Sequence, residues 1–205
     1  MNAIEVIGEG TVNATPNLAQ VILGVWTEDK SVTTVQQQLA VKISFIINSL
    51  MQLGIPKENI QTYNYQINPQ YRFEDNQQVL IGYRGQHELQ VIINEIEKVG
   101  EVIDTAIQHG ANLVSSISFR VKQPERYYFE ALKIALKNGE QKARTIANTF
   151  RRTIDDAPYQ VTELTQMPFP QPGKAFPFAQ AAQTTIEPGQ LQISATVKMK
   201  FHTSL

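Results

Sequence analysis

The first residues with chemical potential stand near the N-terminus, where Gly8-Glu9-Gly10 follows the run from Ile4 to Ile7. Two glycines after a strand could open a dinucleotide-binding loop. That fingerprint needs a third glycine three residues on and a helix whose free N–H groups meet the pyrophosphate. Position 13 is Asn13, and Ala19, Val21, Leu23 and Val25 then fall on alternate positions, the period of a strand. Gly8 and Gly10 are therefore expected inside a first hairpin, at a bulge or close backbone crossing, with no phosphate bound. The three histidines, His87, His109 and His202, are scattered. The segment from His87 to Val91 lacks the second histidine of a zinc-peptidase helix and reads as strand. His87 shares strand phase with Tyr83 and Leu89 and is expected to be half-buried and hydrogen-bonded. His109 suits the negative end of a helix dipole. Ser115, Ser116 and Ser118 with His109 and Asp104 could supply a nucleophile, a base and an orienting acid, but serines on a strand face need no catalyst to explain them. Asp155-Asp156 reads as a solvated turn. Neither a G-x-S-x-G elbow nor a Walker loop occurs, so no catalytic, cofactor-binding or metal site is expected.

The totals narrow the function class further. Eighteen basic and nineteen acidic residues give a formal charge of −1 over 205 residues, without the basic patch that a nucleic-acid binder needs to release counterions. The chain has no cysteine, which removes disulfides, thiol nucleophiles and thiolate metal sites together. No apolar run is long enough to span a bilayer as a helix. Met1-Asn2 leads straight into a strand without a signal peptide. The expectation is a cytoplasmic protein, or a periplasmic or extracellular one if Met1 replaces a cleaved leader.

The elements that would position a site follow from periodicity. Two strands are expected at about 2–13 and 17–29, joined at Thr15-Pro16-Asn17. A helix at about 32–53 gathers Val35, Leu39, Ile43, Ile46, Ile47, Leu50 and Met51 on one face, with Ser31 as N-cap and Gly54-Pro56 as stop. Two aromatic- and amide-rich strands then form a long hairpin around residues 74–78. A shorter helix at about 95–109 carries Asn94 and Glu97 in capping-box spacing and is expected to bury Ile96, Val99, Ile103 and Ile107. A strand at 112–122 puts Leu113, Ser115, Ile117, Phe119 and Val121 on one side. Pro124 opens the longest helix, to about Phe150. There Ala131, Ala135, Gly139, Ala143 and Ala147 form a small-residue stripe, expected to pack closely on a neighbour, with Tyr128, Leu132, Ile146 and Phe150 as the bulky face. Alanine at position 139 should then be neutral or stabilising, and leucine should overpack the contact. A strand near 158–166 follows, and towards the C-terminus apolar and polar residues alternate without a break from Leu191 to His202.

The expected fold class is α+β, a largely antiparallel sheet built from hairpins, with two long helices and one shorter helix on one side. The chain reads as one domain over 1–205 with a proline-rich loop at about 167–189. That loop holds Phe169, Phe176 and Phe178 among five prolines, rings that something should cover. Two arrangements do so: the loop docks on another copy of the chain, helped by the hairpin around Tyr71 and Tyr83, or it folds back over its own sheet. The tyrosines Tyr63, Tyr65, Tyr71 and Tyr83 likewise serve either as cross-strand packing, the more economical reading, or as a contact surface.

In order along the chain, VIGEGTVNATPNLAQVILGV, LMQLGIPKENIQTYNYQINPQY, IGYRGQHELQVII, EKVGEVIDTAIQHGANLVSSISF, EALKIALKNGEQKARTIA and IEPGQLQISATVKMKF resemble the SIMPL-domain family. These are bacterial proteins of poorly defined function, some of them periplasmic and stress-associated. Gly139 stands where the family more typically has alanine, and Asn17 where it usually has aspartate. The resemblance carries over no catalytic residue and implies ring-like or channel-like oligomers. Together with the residues, it leads to the expectation of a non-enzymatic, self-associating scaffold or binding protein with an unknown ligand, forming a homo-oligomer and acting in stress. The alternative is an enzyme whose site is too dispersed to recognise.

Overall fold

The computed structural model describes residues 3–74, 77–164 and 186–204, and the backbone of 171–172. The fold is α+β, and among these residues the chain divides into two compact units.

One unit is built from residues 17–120 together with the described residues 186–188, of which Ile186 packs on its core. Its strands β2 (Leu18–Asp29), β3 (Ile60–Glu74), β4 (Gln77–Ile93) and β5 (Leu113–Arg120) make an antiparallel sheet in the order β3-β4-β2-β5. Helix α1 (Val32–Gln52) starts where the Ser31 side chain accepts a bond from the Thr34 N–H at 3.4 Å. It ends where Gly54 takes φ +93° and the N–H groups of Gly54 and Ile55 reach back to the carbonyls of Met51 and Leu50, each at 3.0 Å. Its inner face buries Val35, Leu39, Ile43, Ile46 and Leu50 against Val21, Leu23, Val25, Leu89 and Val91 of the sheet. Each such side chain contributes about 1.5–3 kcal/mol. A 3₁₀ turn (Ile96–Lys98) and helix α2 (Val99–Gln108) add Val99, Val102, Ile103 and Ala106 to this core.

In the other unit, β1 (Ala3–Ala14) pairs along its whole length with β9 (Leu191–Ser204). The short strands β6 (Thr153–Ile154), β7 (Gln160–Glu163) and β8 (Gln171–Pro172) pair with β9 as well. Helix α3 (Pro124–Thr149) covers the face lined by Val6, Leu191, Ile193, Val197, Met199 and Phe201. It does so with its small-residue stripe: Ala131, Ala135, Gly139, Ala143 and Ala147 are all buried. Gly8 and Gly10 mark where β1 passes beneath that stripe. A Cβ on Gly8 would lie 2.1 Å from the Ala135 carbonyl oxygen, and one on Gly10 would lie 2.1 Å from that of Ala131. The glycines thus permit a close backbone crossing and form no anion cradle.

Several local expectations are corrected. The strands β1 and β2 form no hairpin: they lie in different sheets, because β1 finds its partner at the far end of the chain. The capping box is not made, since the first turn of the second helix is 3₁₀ and begins at Glu95, which gives no side-chain cap and instead pairs with Lys98 at 2.9 Å. Ile107 there is 50% exposed. On α3 the expected bulky face is turned outward at Ile146 and Phe150, because the small residues take the sheet side. The close approach expected at Gly139 is present: a Cβ there would lie 2.5 Å from Met199 Sδ, on a flexible side chain that must shift to admit alanine. The alternation expected along β5 is broken by a bulge at Ser115, with Val114 and Ser116 pairing on consecutive residues of β2.

Candidate interaction surface

The strands β3 and β4 outrun the rest of their sheet. The last rung between β2 and β4 joins Asp29 to Tyr83, whereas β3 and β4 continue from Gln70–Gly82 to Glu74–Gln77. Over that stretch they pair only with each other among the described residues. A bulge at Ile81, where Gly82 pairs with Gln70 and Leu80 with Tyr71, marks the root of this arm. Alternation on β3 puts Ile67, Pro69, Tyr71 and Phe73 on one face. Ile67 packs against the core beneath α1. Further out, no helix among the described residues lies over the same face: Tyr71 is 50% exposed, Phe73 76% and Leu80, opposite Tyr71, 47%. The arm is thus an apolar sheet face prolonged past its cover, and two strands alone are marginal in water. On its reverse side Arg72 and Glu74 pair at 3.4 Å, both well exposed, an interaction worth little.

A second uncovered surface lies on the outside of α1. Its one charged residue is Lys42, and Val41 is 56% and Phe45 59% exposed. The Ser44 hydroxyl between them donates to the Ala40 carbonyl at 2.8 Å, so it needs no outside partner. A water-facing helix surface normally carries charge. The missing charge along this helix is the signal in the sequence for this surface, and the alternation from Ile67 is the signal for Phe73.

Of the expected interface residues, Tyr71 lies on the open arm. Tyr83 is half-buried at its root against the core, beside a cleft of 190 Å³ between Asp29, Lys30 and Gly82. That volume is below the roughly 300–1,000 Å³ of small-molecule sites. Phe169, Phe176 and Phe178 lie outside the described residues. Tyr63 and Tyr65 are exposed near the inner end of β3, and Tyr65 meets the His87 ring edge-on at 5.1 Å.

The residues with catalytic potential are engaged elsewhere. His87 lies 3.1 Å from the Thr62 hydroxyl, half-buried as expected, and burial lowers its pKa. Nδ1 of His109 lies 2.8 Å from the Thr105 carbonyl oxygen, satisfying the end of α2. Ser115 donates to the buried carboxylate of Glu88, whose other oxygen accepts from the Asn64 side-chain amide at 3.2 Å. Ser115 is thus bonded to Glu88 in the sheet, and His109 to the last turn of its own helix. Ser115 sits at one register bulge and Asn64, paired with Glu88, beside another at Tyr63; on its other side Glu88 faces Gly24, where a Cβ would lie 2.7 Å from Glu88 Cα. The arrangement staples the sheet. Among the described residues no group of three or more His, Asp or Glu side chains could hold a metal ion, and no helix is long and apolar enough to cross a membrane.

Residues 4–201 match the model of SIMPL, described as a protein of unknown function (DUF541). The chain belongs to the SIMPL family. Its relatives include the uncharacterized protein YggE of Escherichia coli K12, 28% identical over 197 residues covering 95% of this chain and 80% of that one. The 26 kDa periplasmic immunogenic protein of Brucella melitensis is 25% identical over 174 residues, 82% of this chain and 69% of its own. The SIMPL match runs through both compact units, including the arm and α1.

Proposed function

We propose that this chain is a non-enzymatic, self-associating scaffold or binding protein, a single functional SIMPL module whose copies meet through the arm. The observation that carries the reading is the apolar face of β3 and β4 running past α1 with Tyr71, Phe73 and Leu80 open to solvent. Exposed apolar surface that a fold does not itself cover commonly marks an interface, and stable interfaces place aromatic residues at their centre. Phe169, Phe176 and Phe178 of the proline-rich segment supply a second apolar contribution, with prolines lowering the ordering cost of docking. The periplasm is the compartment that fits: the Brucella relative is named periplasmic, and a chain without cysteine tolerates an oxidising environment. A role in envelope stress follows as part of the same proposal. Sedimentation velocity over a concentration series tests it. Assembly that tightens from one to a hundred micromolar supports the reading, and a single monomeric species throughout rejects it.

A further inference from the structure

We propose that Asn138 and Lys142 guard the free edge of β1, keeping that strand from pairing with the same strand of a second copy.

Among the described strands β1 pairs with β9 alone, so it is the edge of its sheet. In an antiparallel ladder, residues whose N–H and C=O face the neighbour alternate with residues whose groups face away. The Glu9 N–H donates to Asn138 Oδ1 at 3.1 Å, and Lys142 Nζ donates to the Ile7 carbonyl at 2.8 Å. Ile7 and Glu9 therefore face away from β9, and with them Ala3, Glu5, Thr11 and Asn13. A second strand would have to bond at these positions, where a donor and an acceptor at the centre are already taken.

Helix α3 can reach the edge because Gly8 and Gly10 let it lie directly over β1. Asn138 and Lys142 are one turn apart and so hang over the same side. Ile134, one turn earlier, extends the row, its Cβ 2.9 Å from where a Cβ on Gly10 would lie.

The edges of the other sheet are blunted by different means. Strand β3 carries Pro69, which has no N–H to offer, and a bulge at Tyr63; β5 has only eight residues and a bulge at Ser115. Strand β1 has neither device, and its twelve residues stay in register with β9 from Ala3↔His202 to Ala14↔Leu191. A long regular edge is a template for another chain, and a lysine or a covering helix is a common protection. The arm plays no part here, being built from the other unit's strands.

The test removes the guards from the full chain as Asn138→Ala, Lys142→Ala, in a parent that carries Tyr71→Ser, Phe73→Ser and Leu80→Ser so that the arm contributes to neither. Each variant is compared with that parent at tens of micromolar and checked by circular dichroism; if the pair does not fold, Asn138→Ala alone replaces it. Hydrogen exchange followed by NMR is expected to quicken about tenfold at the Glu9 amide, and not at Gly8 or Gly10, whose amides face β9. Light scattering is expected to give a mass above the parent's. Adding Glu9→Pro, which removes the outward N–H, is expected to restore the parent's mass, with Thr11→Pro in its place if the fold is lost. An unchanged Glu9 exchange rate, or a faster one without a gain in mass, overturns the proposal. So does a gain in mass that survives the proline, because the new contact then lies elsewhere.

Discussion

The helices α1 and α3 each cover one sheet, and their outer surfaces differ in kind. Helix α3 carries Glu125, Arg126, Glu130, Lys133, Lys137, Glu140, Lys142 and Arg144, and Arg144 is tied to Glu140 at 2.9 Å. Helix α1 carries Lys42 alone. Inside, the order is reversed: α3 presents alanines and a glycine to β1 at backbone contact, while α1 presents branched side chains. Helix α3 turns its charges to water. Helix α1 has an apolar side left over, as does the sheet it covers. Inner faces decide stability, and outer faces decide what else the molecule touches.

The largest effect should come from the tight side of α3. Gly10→Ala drives a Cβ into the Ala131 carbonyl and should cost about 1–3 kcal/mol or more, whereas Gly85→Ala meets only the side-chain ends of Val35 and Leu39 and should cost less. Urea midpoints for the pair check the order. Equal losses would mean that α3 lies no closer to its strand than α1 does.

A smaller contrast separates the units by pH. Burial, reinforced by its bond to Glu163, pushes the Tyr128 hydroxyl up to about 12. The folded chain therefore keeps a proton that the unfolded chain loses near pH 10, so stability should be intact below pH 10 and fall by on the order of 2 kcal/mol towards pH 12. Tyr128→Phe should flatten that fall in denaturant melts. In the other unit, His87 is depressed by burial. Its stabilisation is present above the ordinary histidine range and fades as pH drops through it, an effect that His87→Gln should remove.

Much of this arrangement is legible in the sequence, where the signal is local. Ser31 and Gly54 bound α1, the unbroken alternation from Leu191 to Phe201 gives β9 its buried face, and the four-residue spacing from Ala131 to Ala147 gives α3 its stripe. What fails is set by distant partners. Thr15-Pro16-Asn17 looks like a hairpin turn, yet β1 takes its partner from the chain's last strand, a choice that no short-range pattern encodes. The bulges at Tyr63 and Ser115 are likewise invisible until β3 and β5 are laid on their neighbours. The exposed apolar surface is half legible: Tyr71 is among the residues the sequence offers for it, while Phe73, Leu80 and the outer side of α1 need the structure to show their exposure.

The smallest effects on stability, and the most informative on assembly, come from exposed rings. Phe45→Ser on α1 and Phe129→Ser on α3, 59% and 55% exposed in the wild type, should each change stability by no more than about 0.5 kcal/mol. Only the first should weaken assembly. A matched loss from Phe129→Ser would erase the distinction between the two outer faces.

The most direct measurement is the mass by light scattering of the wild-type chain beside a Tyr71→Ser, Phe73→Ser, Leu80→Ser variant, both at tens of micromolar and both checked by circular dichroism. The account predicts a wild-type assembly and a folded monomeric variant. A wild type that is already monomeric, or a variant that assembles as the wild type does, would contradict it.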